Sequence, residues 1–250
     1  MPAFEAVPGM PYWQDLITTE PQKAAYFYSK VLGWDVSRDD YRVARKDGLP
    51  VAGIVAAEEA MQEWIPYFLS GDAARVEQLG GQVLSSQEVS LGRLTVCADP
   101  VGGLFGLMQP AGEDQFVAAG EPGVPVWYEY VGPDTTAVDF YAELFDWEVQ
   151  ASEGYFVATK DGAPFLGMEI GAEPDVAFWQ IFFGVEDMAR ALQLTQQFGA
   201  TYVTEPVDSP FGVALFIEDA VGAGCHLCEV EVPQFEEISE ADSILNLNLD

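Results

Sequence analysis

The sequence predicts an α+β protein of two homologous halves, each built from two strand–helix–three-strand units. Three observations carry that reading. The stretch Gly9–Val36, GMPYWQDLITTEPQKAAYFYSKVLGWDV, has a near copy at Gly123–Val149, GVPVWYEYVGPDTTAVDFYAELFDWEV. Trp13 maps to Trp127, Asp47-Gly48 to Asp161-Gly162 and Gly53 to Gly167 at one constant offset, and Tyr28 maps to Tyr141 after the loss of one residue. That offset is far longer than the roughly 20–50 residues of a solenoid repeat, so a whole domain is duplicated. Within each half, the order of periodic segments is itself repeated in weaker form.

Each element has its own warrant. Pro11–Thr18 is apolar on both faces, as suits a strand covered on each side. Strand alternation sends Trp13, Asp15 and Ile17 one way and Tyr12, Gln14 and Leu16 the other. Pro21 suits a first helical position, Ala24, Phe27, Tyr28 and Val31 share one helical face, and Gly33 supplies the stop. Trp34–Val55 holds three short strands, broken near Asp39-Asp40 and at Asp47-Gly48. The second unit runs from the strand Ile65–Ser70, through an Asp72-capped helix at Ala73–Leu79, to strands at Val83–Ser86, Leu91–Ala98 and Leu104–Gln109. Pro110–Pro122 is rich in small and acidic residues and holds a linker. The second half retraces this order. Val124–Val131 is a strand, Asp134 caps a helix with Ala137, Phe140, Tyr141 and Leu144 inward, and three strands fill Trp147–Ile170. A strand at Phe178–Val185, a helix at Glu186–Phe198 and strands at Tyr202–Thr204, Val213–Glu218 and Cys225–Val230 complete it. The reading divides the chain into domains at 1–112 and 123–232, a linker at 113–122 and an acidic tail at 233–250, where Phe235, Ile238, Leu245 and Leu249 fall on one weak helical stripe.

The chain has 250 residues, 49% of them apolar and 20% charged, a globular composition. Its formal net charge is −31, from 41 acidic and 10 basic residues. Nucleic acid and anionic membranes need a basic face to displace counterions, so neither is an expected partner. The charge suits solubility, or else docking of a cationic ligand or partner. No apolar run approaches the ~20 residues of a membrane span, and the N-terminus lacks the basic and apolar parts of a secretory signal. Three cysteines make no disulfide framework, so a cytoplasmic setting is expected.

The ordered motifs resemble a known superfamily. Trp13-Gln14-Asp15-Leu16, Glu20-Pro21, Phe27-Tyr28 and Leu32-Gly33-Trp34, repeated as Trp127-Tyr128-Glu129-Tyr130, Asp134, Phe140-Tyr141 and Phe145-Asp146-Trp147, are similar to the opening strand and helix of vicinal-oxygen-chelate proteins. This superfamily holds glyoxalase I, bleomycin-resistance proteins and extradiol dioxygenases. Asp99-Pro100-Val101-Gly102 resembles its closing turn, and Asp219-Ala220-Val221-Gly222 is a looser counterpart. The resemblance runs from Gly9 to Val230 and is nearest to the tandem, glyoxalase-like branch. It implies two domains, each of two βαβββ units curled into an eight-stranded cup. It also implies a monomer or a homodimer, since the duplication supplies in one chain the pairing that other members reach by dimerising.

In metal-dependent members the ligands come from the first and fourth strands of each unit, usually His or Gln and then Glu. Carried onto this chain, those positions are Trp13 and Trp127, Ile65 and Gln180, Val55 and Glu169, then Gln109 and Glu229. Indole nitrogen only donates, so the tryptophans bind no metal. The second domain offers Glu169, Gln180 and Glu229, oxygen donors suited to Mg²⁺ or Mn²⁺ if the units pair so that they converge, and otherwise ordinary polar residues at strand ends. The expectation is therefore no resident cofactor, with that divalent-metal set as the alternative. His226 is the only histidine, too few for an iron site of two His and a carboxylate, and it reads as a surface or packed strand residue. Cys225-x-x-Cys228 lies on a strand and reads as core or edge thiols. Arg38, Arg42, Arg45 and Lys46 gather on one hairpin, either as a solvated face or as an anion site.

Trp13 with Asp15, and Trp127 with Glu129, each pair an aromatic wall with a carboxylate on one strand face. That combination suits a flat or cationic organic ligand, with Gln109 as a further contact. Asp15 and Glu129 are also the candidate general bases if burial raises their pKa. The leading expectation is a small-molecule-binding protein without a complete metal site. The alternatives are a metal-dependent lyase or isomerase acting through Glu169, Gln180 and Glu229, and an acidic module that meets a basic partner.

Overall fold

A computed structural model describes residues 3–58, 61–112, 116–171, 176–209 and 212–232. The first half runs β1 (Ala3–Glu5), β2 (Pro11–Thr18), α1 (Pro21–Val31), β3 (Asp35–Val36), β4 (Tyr41–Lys46), β5 (Leu49–Ala56), β6 (Glu63–Leu69), α2 (Ala73–Gln78), β7 (Gln82–Val89), β8 (Gly92–Ala98) and β9 (Leu104–Pro110). A short β10 (Phe116–Ala118) precedes the second half. There follow β11 (Pro125–Gly132), α3 (Thr136–Phe145), β12 (Glu148–Ser152), β13 (Tyr155–Lys160), β14 (Ala163–Ile170), β15 (Phe178–Val185), α4 (Met188–Gln197), β16 (Tyr202–Val203), β17 (Val207–Ser209), β18 (Gly212–Glu218) and β19 (Gly224–Glu229). The tail 233–250, with its weak apolar stripe, lies outside the described residues. No helix among the described residues is long and apolar enough to cross a membrane.

The units pair first with second and third with fourth. One sheet has eight strands in the order β3-β4-β5-β2-β6-β9-β8-β7, and the other runs β12-β13-β14-β11-β15-β19-β18-β16 with β17 beside β18. The two opening strands of each half lie antiparallel at the centre, β2 on β6 and β11 on β15, and each has its unit's last strand parallel on its other side. This is the α+β architecture of two tandem glyoxalase-like cups.

Each sheet has a shared face and a cup face. Leu16, Ile54, Trp64, Phe68 and Phe105 of the first sheet join Tyr128, Tyr130, Trp179, Ile181 and Phe183 of the second in one continuous core, with the inner faces of the helices. The cup faces carry smaller, separate clusters: Trp13, Val43, Ile65, Tyr67, Leu94 and Met108 in the first, and Trp127, Phe182, Ala214 and Cys228 in the second.

The halves are locked by reciprocal contacts. The Tyr28 hydroxyl on α1 donates to Asp219 Oδ2 in the last turn of the second half at 2.8 Å. Its copy Tyr141 on α3 donates to Asp99 Oδ2 in the matching turn of the first half at 3.1 Å, and Tyr130 adds a 2.6 Å bond to the same oxygen. The other oxygen of each aspartate accepts two backbone amides of its own turn, from Val101 and Gly103 or from Val221 and Ala223. Trp34 Nε1 donates to the Gly123 carbonyl and its copy Trp147 to that of Gly9. Each half thus supplies a helix that completes the turn of the other.

Three local expectations need correction. Tyr12 does not turn toward the helices with Tyr128 and Tyr130. A register shift between Pro11 and Trp13 displaces it, and it packs against the cup cluster of the first sheet. The segment 110–122 is more than a linker, because β10 pairs antiparallel with β1. The α3 N-cap is Thr135 rather than Asp134, although the Asp134 carboxylate does accept the Thr136 amide at 2.8 Å.

Removing one hydroxyl of the lock leaves a buried carboxylate short of a donor. A hydrogen bond to a charged group contributes ~1.5–3 kcal/mol. Tyr28→Phe and Tyr141→Phe are each expected to lower the unfolding free energy by about that amount while unfolding stays a single transition. Urea titration followed by both tryptophan fluorescence and far-UV circular dichroism checks this, and separate transitions for the two probes would contradict the shared core.

Candidate functional site

In the first cup, Trp13 and Asp15 meet as the alternation of β2 requires. Trp13 Nε1 donates to Asp15 Oδ1 at 2.8 Å and lies 2.8 Å from the Tyr41 oxygen, and the Tyr41 hydroxyl donates to the same carboxylate oxygen at 2.7 Å. Tyr67, across the strand from Trp13, also hydrogen-bonds Asp15. The carboxyl is 1% exposed. Burial pushes its pKa up to about 6, against the smaller opposing pull of its Tyr41, Trp13 and Tyr67 hydrogen bonds. Gly53, opposite Asp15 on β5, makes the cluster possible: a Cβ there would sit 2.0 Å from Asp15 Oδ1 and 2.5 Å from the Tyr41 oxygen.

Two cavities flank this cluster. One, of about 290 Å³, is lined by Trp13, Pro50, Leu91, Met108 and Phe116 among others. A second, of about 610 Å³, lies between the outer strands β4 and β7, over Tyr41, Val43, Val55 and Val89, with Asp39 and Glu88 at its lining. Ser90 lines both.

The second cup repeats the plan with different chemistry. The Tyr155 hydroxyl donates to Glu129 Oε2 at 2.7 Å, and Trp127 also hydrogen-bonds Tyr155. Gly167 leaves the room, since a Cβ there would lie 1.9 Å from the Tyr155 oxygen. Gln180 is the cross-strand neighbour of Glu129. Burial raises the Glu129 pKa, the Tyr155 bond partly offsets this, and the Glu169 charge raises it further. His226 faces this cup, stacked on Phe182 with centroids 4.2 Å apart, and burial pushes its pKa down to about 4.

Gln109 and Glu229 stand apart from both cups. On β9 and β19, Met108, His226 and Cys228 face the cups, whereas Phe105, Leu107, Cys225 and Leu227 face the shared core. Gln109 and Glu229 share that second parity. Gln109 packs beside Gly71 ahead of α2, and Glu229 Oε2 accepts the Met188 amide at 2.7 Å at the start of α4. A one-residue difference in register moved both to the opposite face. Gln109 is therefore no neighbour of Trp13 and Asp15, and Glu229 does not converge with Glu169 and Gln180. Cys225 and Cys228 likewise face opposite sides, and all three cysteines are buried thiols outside any disulfide.

Tyr41 and Tyr155 join these two clusters, and sequence reasoning missed them. Their signal was available, because Tyr41 recurs as Tyr155 at the same offset that relates Gly53 to Gly167.

Comparison with known proteins agrees with this architecture. Residues 14–108 match the glyoxalase-like domain family. The anthracycline biosynthesis protein DauV of a Streptomyces species is 28% identical, over 89% of this chain and 94% of its own length. DnrV of Streptomyces peucetius, described in the same words, is 27% identical with the same coverage. A substrate complex of homoprotocatechuate 2,3-dioxygenase from Brevibacterium fuscum shares the fold with a TM-score of 0.61 at 14% identity, covering 93% of this chain and 88% of that one. The first half thus matches the glyoxalase-like domain family, and the chain as a whole shares the fold of an extradiol dioxygenase. The observed registers put Trp13, Val55, Ile65 and Met108 on the cup face at the positions that the resemblance gives to ligands in the first cup, and Trp127, Glu169, Gln180 and Cys228 at those of the second. The first set has no oxygen or nitrogen acceptor to offer a cation, and the second mixes one carboxylate and one amide with a thiol whose pKa burial raises. Among the described residues, no three His, Cys, Asp or Glu side chains group closely enough to hold a metal ion. With Glu229 engaged at the start of α4, the set of Glu169, Gln180 and Glu229 that the sequence suggested for Mg²⁺ or Mn²⁺ is not assembled.

Asp15 makes stability depend on pH in an unusual sense. Its folded pKa, about 6, lies above the ordinary 3.8, so the folded state holds the proton more tightly than the unfolded chain. Its contribution falls as pH rises from 3.8 through 6 and is level above that. Asp15→Asn removes this dependence. The stability of the variant relative to the parent is expected to improve by about 1–2 kcal/mol between pH 5 and pH 8, read by denaturant titration at both values.

Proposed function

We propose that this glyoxalase-like protein binds a flat, polycyclic aromatic molecule in its first cup, without a divalent metal. The observation that carries the reading is the Trp13–Asp15–Tyr41 cluster, with Trp13 lining an apolar cavity that Met108, Leu91 and Phe116 also line. An indole fixed by its own N–H in a hydrogen bond offers a rigid apolar wall at low entropic cost. At the neighbouring opening Asp39 and Asp40 outnumber Arg45, and Glu88 is paired with Arg93, so a ligand that also carries a positive charge is favoured only weakly. Relatives described as anthracycline biosynthesis proteins support a polycyclic aromatic class.

A lyase or isomerase acting through the second cup is the alternative, and one observation favours it. Glu129, with its raised pKa, sits beside Gln180 and within the field of Glu169, as a proton-transfer carboxylate would. Such an enzyme would use Glu129 rather than Glu229.

Calorimetric titration with an anthracycline, beside an aromatic of equal size lacking the amine, tests the proposal. Micromolar binding that Trp13→Phe weakens by about tenfold or more, and Trp127→Phe leaves within about twofold, is the expected result. Circular dichroism on each variant shows whether the fold is intact. No binding by the folded parent protein, or binding lost only in Trp127→Phe, would overturn it.

A further inference from the structure

The four cations of the β4 hairpin do not act together. Arg38 and Arg42 line one surface cavity, Arg45 another, and Lys46 a third of about 480 Å³ where the two halves meet. In that third cavity Lys46 is joined by Lys30 from the end of α1 and Arg190 from the first turn of α4. Three of the chain's ten cations thus meet in one groove of a protein whose net charge is −31.

The internal duplication shows what this groove lacks. Its counterpart in the other half lies at Gly9, Asp72 and Asp146, where Arg75 and Glu143 close the contact with a 2.6 Å ion pair. The helix registers make Arg190 the copy of Arg75, since each amide donates to its own N-cap aspartate, Asp187 or Asp72. Counting from the equivalent Tyr28 and Tyr141, Lys30 stands where the other half has Glu143, and Gly33 where it has Asp146. An ion pair has become two like charges, and the carboxylate lost at Gly33 is matched by one gained at Glu186, where the other half has Gly71. Into the space runs Lys46. Its Nζ lies 3.1 Å from where a Cβ on Gly33 would be, and its Cε 2.9 Å from that of Gly123. Like charges gathered in excess of the carboxylates beside them cost free energy that a bound anion restores.

The local acidic groups supply only part of the counter-charge, two carboxylates against three cations. Glu186 and Asp187 line the same cavity, but Asp187 is engaged as the α4 N-cap. Among the described residues none of Lys30, Lys46 and Arg190 forms an ion pair, and Lys30 has only the Tyr26 ring, 5.2 Å away. The α4 amides are already capped by Asp187 and Glu229, so the helix end is not what would hold an anion.

We propose that this groove between the halves binds a small molecule bearing two or more oxyanion groups, phosphate or carboxylate, held by Lys30, Lys46 and Arg190. The site is separate from the first cup and does not rest on the ligand assigned there.

Calorimetric titration of the whole protein at low ionic strength, with pyrophosphate and with citrate, tests this. At least one probe should bind, more weakly as salt is added. Lys46→Gln and Arg190→Gln should each weaken it by about tenfold, because each removes one charged contact, and Arg75→Gln should leave it unchanged. Preference for pyrophosphate assigns the site to phosphates, and preference for citrate to polycarboxylates. Absence of binding by both probes, or binding indifferent to Lys46→Gln and Arg190→Gln, would overturn the proposal. Both substituted side chains are at least partly exposed, and circular dichroism confirms that each variant is folded.

Discussion

The architecture depends on a tyrosine on one half donating to an aspartate in a turn of the other. Tyr28 to Asp219 and Tyr141 to Asp99 are two versions of one contact, and each aspartate is held by amides of its own turn. A buried carboxylate is costly unless its oxygens are satisfied, so each turn is complete only when the opposite helix is in place. The aromatic rings around the lock, Trp34 and Trp64 about Tyr28, and Trp147 and Trp179 about Tyr141, add apolar burial to the same contact. The helices and shared sheet faces thereby bury one continuous core.

That arrangement leaves each sheet's other face to a cup of its own, and the cups have diverged in different directions. The first holds a tight hydrogen-bonded group of Trp13, Asp15, Tyr41 and Tyr67 beside apolar cavities. The second keeps Glu129, Gln180 and Glu169 in reach of its face and places His226 against Phe182. Two copies of one plan, bound back to back, can diverge because neither cup contributes to the lock. The surface between the halves diverged as well: an ion pair persists at Arg75 and Glu143, whereas Lys30, Lys46 and Arg190 face one another at the related groove.

Most of the fold was legible because it rests on local patterns. Helix faces such as Ala24, Phe27, Tyr28 and Val31, turn glycines such as Gly33, and the constant offset between the halves all lie in short windows of sequence. The Trp13–Asp15 pairing was legible for the same reason, since two residues on one strand with one between them share a face. Register was harder. A bulge after Pro11 turned Tyr12, and one residue at the ends of β9 and β19 separated Gln109 and Glu229 from the cups. Hydrophobic alternation weakens at such strand ends, so nothing local fixed the face. Contacts across long separations were out of reach. Tyr28 and Asp219 stand 191 residues apart, and no periodicity links them.

An aromatic ligand received by the first cup would lie against Trp13. The chain has six tryptophans, and replacing them with 5-fluorotryptophan gives each its own fluorine resonance. A polycyclic aromatic ligand is expected to shift the resonance assigned to Trp13 by its loss in Trp13→Phe, and to leave that of Trp127 in place. A spectrum in which only the Trp127 resonance moves, or in which none moves at saturating ligand, would contradict that expectation.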